Sequence, residues 1–308
     1  MLLWDDVRTE AAGDVGAGGW GQCLSTARFL PFPSHPIMPI LTGTGLRLMN
    51  LSLVIPCTHR DVVLVPDLLE AYANGAERPD QVIVSVSNAH MADGAVLERI
   101  AAIGVSRFAE ILILKHPRRM FHGPNRQAAS ERAIHELICY QDADDTPHPQ
   151  RIQIVKRLFE QYDIMHLNHS FCFAGTEFRQ VHGALQFMIW HQSAIAGGCF
   201  PRGRLHDCVE AQQAYGAFTE RPVQSGQPVI RREVLEKVRW KDWGELAFGI
   251  AEDYEFNMEC AYVWRKSMIV DIPLIRYTPF AGRETVEEML GLAPDSAPSA
   301  VPSPASQP

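Results

Sequence analysis

The sequence predicts an α/β fold, a mostly parallel sheet with helices on both faces. Two observations predict it. Four short apolar runs, "LSLVIP" (51–56), "QVIVSVS" (81–87), "ILIL" (111–114) and "LICY" (137–140), recur with helix-spaced segments between them. Strand and helix alternating at this interval describe a parallel sheet covered on each side. The fourth run ends in "QDADD", and the carboxyl edge of such a sheet is where ligands bind.

Each element follows from local chemistry. Residues 51–56 lack polar alternation, as a strand buried on both faces does. In "VPDLLEAYANG", Leu68, Leu69, Tyr72 and Ala73 fall at helical spacing and Gly75 is placed to end the helix. After the 81–87 strand, Asp93 is an N-cap for a helix expected to run through Ile103 and close at Gly104. A third helix is expected from Pro124, a favoured first-turn residue, to Glu136.

The ends differ from this pattern. Residues 1–49, with "GDVGAGGWG" and "PFPSHPIMP", form a Gly/Pro-rich extension expected to be weakly ordered. Residues 283–308 run into "APDSAPSAVPSPASQP", an Ala/Pro/Ser-rich tail expected to be disordered. One domain over 50–282 remains, with halves at 50–150 and 151–282.

Bulk properties exclude several classes. The 308 residues are 46% hydrophobic and 21% charged, ordinary for a globular protein with ample core. A formal charge of −8 argues against a general nucleic-acid binder. Seven scattered cysteines form no CxxC pair, so neither a disulfide framework nor a zinc knuckle is indicated and a reducing, cytoplasmic setting fits. His166 and His169 lack an HExxH context and read as core or surface histidines. The chain has neither a signal-peptide pattern nor an apolar run long enough to span a bilayer, which leaves peripheral membrane contact open.

The acidic cluster sits in "ICYQDADDTPHPQRI". A solvated turn is the plain reading of Asp and Pro together. Its position past a parallel strand favours a cation. If strand geometry persists, Asp142 and Asp144 point to one side and Asp145 is turned away. Paired carboxylates suit Mg²⁺ or Mn²⁺, which prefer oxygen ligands and share their remaining positions with water or substrate phosphates.

Three blocks together resemble family 2 glycosyltransferases with the GT-A, Rossmann-like fold. "LSLVIPCTHRD" is similar to the family's opening strand and loop. "GPNRQAASERAIHELICYQDADDTPHPQRI" is similar to the segment carrying its "ARN" element, its "DADD" strand end and "HPQR". "VIRREVLEKVRW", followed by "AEDYEF", resembles the acceptor-side region. The resemblance covers roughly residues 50–275 and makes 50–150 the nucleotide-sugar half and 151–282 the acceptor half. It implies an inverting, metal-dependent transfer of a sugar from a nucleotide-diphosphate donor, a UDP-sugar being the expected one. The acceptor, whether glycan, lipid or protein, is unspecified.

Residue by residue, the resemblance implies donor contacts from Pro56, Thr58, His59 and Arg60, from Ser87 and Asn88, and from Arg126 and Asp142. The metal set it implies is Asp142, Asp144 and Asp145, with Mn²⁺ or Mg²⁺ as the ion. Asp253 is the expected general base, with Glu252 the alternative. Without the upstream blocks, "AEDYEF" would read as an acidic helix start. There are departures. "SVSNAH" stands where the family has an aspartate-rich "DDGS", His59 replaces an asparagine, and Gln127 replaces the "ARN" asparagine. The altered second-strand motif keeps open a catalytically inactive module that binds a glycan or protein partner. A metal-dependent nucleotidyltransferase is the further rival, though "PCTHRD" lacks a glycine-rich phosphate loop. In the basic loop "KHPRRMFHG", Arg118, Arg119 or His122 can meet a diphosphate, while most basic runs are solvated surface. Residues 171–200 read as core, Phe187 and Trp190 included, mixed with an acceptor flap.

Overall fold

The computed structural model describes residues 49–173, 175–181, 226–244, 252–264 and 266–278, with short pieces at 38–39, 184–185 and 187–190. The expected C-terminal tail, the N-terminal extension apart from 38–39 and 49, and residues 191–200 of the expected flap region therefore lie outside the described residues, as do the side chains of Phe187 and Trp190.

Among these residues the sheet has nine strands. They are β1 (Leu51–Thr58), β2 (Gln81–Ser87), β3 (Glu110–Lys115), β4 (Leu137–Tyr140), β5 (Thr146–Pro147), β6 (His166–Phe173), β7 (Phe187–Trp190), β8 (Val229–Arg231) and β9 (Ser267–Tyr277). Their order is β3-β2-β1-β4-β8-β6-β9-β5, and β7 also pairs with β9. β1 is parallel to β2 and β4, and β2 to β3. β8 runs antiparallel between β4 and β6, so those two point the same way, and β9 is parallel to β6. Six strands thus share one direction, and their carboxyl ends form one edge.

Helices cover both faces. They are α1 (Val65–Ala73), α2 (Gly94–Arg107), α3 (His122–Ser130), α4 (Arg151–Gln161) and α5 (Glu252–Trp264). Alternation along the strands sorts the core. Leu53, Ile55, Val82 and Val84 face Leu69, Ile100, Leu158 and Phe159 of α1, α2 and α4. Val54, Ile83, Ile138 and Tyr140 face the other way, toward Ala129, Phe256 and Cys260 of α3 and α5. Burial of each such aliphatic or aromatic side chain contributes about 1.5–3 kcal/mol.

Two helix ends differ from expectation. The Asp93 carboxylate does cap α2, accepting from Ala95 N at 2.9 Å. The helix then passes through Gly104 to Arg107. Gly104 is a packing residue, since a Cβ there would lie 2.1 Å from Ile111 Cδ1. α3 begins at His122 and ends at Ser130, six residues before Glu136, where the chain turns to reach β4. No helix among the described residues is long and apolar enough to cross a membrane.

Candidate active site

Topology brings three separated segments to the carboxyl edge of β4. The acidic turn leaves β4 directly. Because β8 is antiparallel to β4, the residues before it, Gly226 and Gln227, begin at that same edge. α5 leads into β9, which runs with the sheet, so its first turn, Glu252 and Asp253, also starts there.

Arg126 sits among them. Its side chain is 5% exposed, and its Nη2 donates to Asp142 Oδ1 at 2.7 Å. Nη1 lies 3.6 Å from Glu252 Oε1. The guanidinium rests over the Trp240 ring at 5.0 Å, and Trp240 stacks on Phe256 at 3.9 Å. Burial alone would lower the Arg126 pKa, but Asp142, Glu252 and Asp253 outweigh it and hold it above its ordinary value. Next to it, Asn125 donates to the backbone carbonyls of Cys57 and Ser85, each at 3.2 Å, and pins the start of α3 to β1 and β2.

The carboxylates have different surroundings. Asp142 is 28% exposed, and Asp144 on the turn is half-buried. Asp145 is buried; Thr278 N donates to its Oδ1 at 2.8 Å and Gln227 Nε2 to its Oδ2 at 2.5 Å. Burial pushes the Asp145 carboxyl up to about 8, with Asp142 and Asp144 adding to the shift. Glu252 is also largely buried, and that desolvation raises it to about 7 against the pull of Arg126. Asp253 is half-buried, with its backbone carbonyl accepting from Asn257 Nδ2 at 2.6 Å.

Two of the carboxylates here are of the kind that a hard divalent cation takes. Asp142 and Asp144 carry carboxylates at this edge, and the missing side chain of Gly226 lets Arg126 and Asp142 approach its main chain. A Cβ at Gly226 would come within 2.8 Å of Arg126 Nη2 and 3.1 Å of Asp142 Oδ2. Among the described residues no three His, Cys, Asp or Glu side chains form a group placed to hold a metal ion, so the expected set of Asp142, Asp144 and Asp145 is not gathered. An ion that keeps waters or takes phosphate oxygens needs no such group.

The other expected donor contacts lie at the ends of β1 and β2 and are tied to one another. Pro56 is buried in β1. Thr58 Oγ1 donates to Asp61 Oδ2 at 2.8 Å and accepts from the backbone N–H of Arg60 at 3.2 Å. His59 N donates to Ser87 O at 3.0 Å. Ser87 Oγ accepts from Met120 N at 2.7 Å, so this hydroxyl shapes the basic loop. Asn88 takes a left-handed φ of 53°, which Asn adopts more readily than most residues. Its N–H donates to Arg118 O at 3.2 Å. Arg118 and His122 are exposed, and Arg119 lies over Phe121 at 5.0 Å.

Sequence reasoning gave no role to Arg151, Gln141, Gly226 or Gln227, all of which support this edge. The arginine of "HPQR", set at a helix start just after the acidic turn, was a usable signal. "SGQP" carries no charge or period and offered none.

The family model described as Glycosyl transferase family 2 matches residues 52–238, more than half of the chain. No curated protein sequence matches it at a significant level. Among solved structures, S. aureus TarS 1–349 is similar with a TM-score of 0.51 at 16% identity, over 75% of this chain and 60% of that one. TarS 1–349 in complex with UDP has a TM-score of 0.51 at 15% identity, over 75% and 60% of the two chains. Its complex with UDP-GlcNAc gives 0.51 at 16% identity, over 76% and 60%. This chain therefore spans about 60% of the TarS 1–349 chains and 37% of the longer TarS chain, and at these identities the likeness shows the GT-A fold. With the family model running from β1 through β8, the chain belongs to glycosyl transferase family 2.

Proposed function

We propose that the protein transfers a sugar from a nucleoside-diphosphate donor to an acceptor hydroxyl, with inversion at the anomeric carbon. The observation that carries this reading is the meeting of Arg126, Asp142 and Glu252, with Asp253 beside them, at the carboxyl edge of the sheet. UDP and UDP-GlcNAc bound to TarS support a uridine nucleotide as donor. Among the described residues, four buried cysteines outside any disulfide, Cys57, Cys139, Cys172 and Cys260, fit a reducing, cytoplasmic setting.

The reaction asks the chain for positioning, charge and one proton acceptor. Asp142 and Asp144 would hold Mn²⁺ or Mg²⁺, with Asp145 tethered behind them. When bound there, the ion would neutralise charge on the departing diphosphate. Arg126 offers a second positive group whose burial strengthens its hold on phosphate oxygens. The acceptor oxygen attacks the anomeric carbon, the bond from that carbon to the diphosphate oxygen breaks, and Asp253 takes the acceptor proton. Glu252, held near neutral pKa by burial, is the alternative base.

The test is hydrolysis of a panel of nucleotide sugars, with Mn²⁺ and with chelator. Metal-dependent release of one nucleoside diphosphate is expected. A folded protein that neither binds nor cleaves any member of the panel would leave the inactive-module reading in its place.

A further inference from the structure

We propose that Arg151 is a positioning residue for the acidic turn, holding Asp142 and Asp144 through two side-chain amides for a cation-bound diphosphate. The proposal rests on the transferase reading.

Arg151 is the first residue of α4, and its side chain runs beneath the turn with no exposed surface. Nη1 donates to Tyr72 Oη at 2.9 Å and to Gln141 Oε1 at 2.5 Å. Nη2 donates to Tyr140 O at 2.8 Å and Gln227 O at 2.9 Å. His169 Nε2 stands 3.3 Å away. All of these partners are neutral. A fully desolvated charge held by neutral dipoles is costly, and an apolar side chain of similar volume would fill the space with less penalty. Filling space does not account for it.

What the charge holds is the turn. Gln141, fixed at Oε1 by Arg151 and by the Tyr72 hydroxyl at 2.6 Å, turns its Nε2 to the backbone carbonyls of Asp142 at 2.8 Å and Asp145 at 3.1 Å. Gln227, fixed at its carbonyl by Arg151, turns its Nε2 to the Asp145 carboxylate. Both arms start at one guanidinium and end on one turn. The second also sets the main chain next to Gly226, whose missing Cβ lets Arg126 and Asp142 lie against it. Groups that orient metal ligands in this way typically change metal affinity by about 10–100-fold when removed.

The experiment is calorimetric titration of UDP at fixed Mn²⁺ into wild type, Arg151→Lys, Gln227→Ala and the double variant, beside thermal melts of each. Arg151→Lys is expected to weaken Mn²⁺-dependent UDP binding about 10–100-fold in the folded protein. Gln227→Ala should lose part of that. The double variant should bind about as Arg151→Lys does, because the Gln227 arm begins at Arg151. A lowered melting temperature with wild-type affinity in the folded fraction would reduce Arg151 to a packing role and overturn the proposal. Should Arg151→Lys not fold, Gln227→Ala decides: wild-type affinity overturns the proposal and a loss supports it. If wild type binds neither UDP nor any other donor nucleotide with Mn²⁺, the transferase reading fails and this proposal falls with it.

Discussion

At the residue level, Glu252 and Asp253 are adjacent in sequence yet differ in what they can do. Glu252 faces Arg126 at 3.6 Å with 11% of its side chain exposed, and burial lifts its carboxyl from 4.5 to about 7. In the unfolded chain it would titrate near 4.5, so between that pH and about 7 the folded state holds the extra proton. Stability should therefore fall across this window as pH rises, with the full penalty present above about 7. Glu252→Gln removes this pH dependence. Melts without added metal should show a gain over wild type at pH 8 that shrinks toward zero near pH 4.5. A difference that stays constant with pH would contradict the burial of Glu252. Asp253→Asn keeps size and removes basicity. Single-turnover transfer should fall by roughly 10² to 10⁴ with donor and metal binding nearly unchanged. If Asp253 only favours the helix N-terminus, the variant should lose about 0.3–1 kcal/mol of stability and transfer normally when folded.

At the element level, local patterns were legible where they were long and apolar. The 81–87 strand has the bounds its sequence suggests, and Asp93 caps α2 as its position implies. Gly104 shows why a local rule failed. A glycine late in a helical run resembles a stop, but here it lets α2 lie against β3. Gly104→Ala would improve helix propensity yet drive a Cβ into Ile111, so it should destabilise by about 1–3 kcal/mol. Ile111→Ala in the same chain should recover part of that loss, as thermal melts of the single and double variants can show. Unchanged or raised stability in Gly104→Ala would mean that the helix readily shifts. β8 was harder to place, because its short "VIR" run gains its identity from partners in β4 and β6, distant in sequence.

Across the whole molecule, the charged part of the candidate site was readable and the neutral part was not. Asp142, Asp144, Arg126 and the Glu252–Asp253 pair stand out by charge, and strand order carries them to one edge. Gly226, Gln227 and Gln141 act through a missing side chain and through amides, which leave no pattern in a single sequence. Arg151 lay between: visible as an arginine, but with a role that appears only when four elements meet around it. The central claim is that the acidic turn after β4 holds a divalent cation for a nucleotide-diphosphate donor. Calorimetric titration of the donor nucleotide into Asp144→Asn and wild type, with and without Mn²⁺, tests it most directly. The account predicts tight binding by wild type only with Mn²⁺, and loss of that Mn²⁺-dependent binding in a variant that melts normally. Equal donor affinity in the two proteins at matched metal concentration would contradict it.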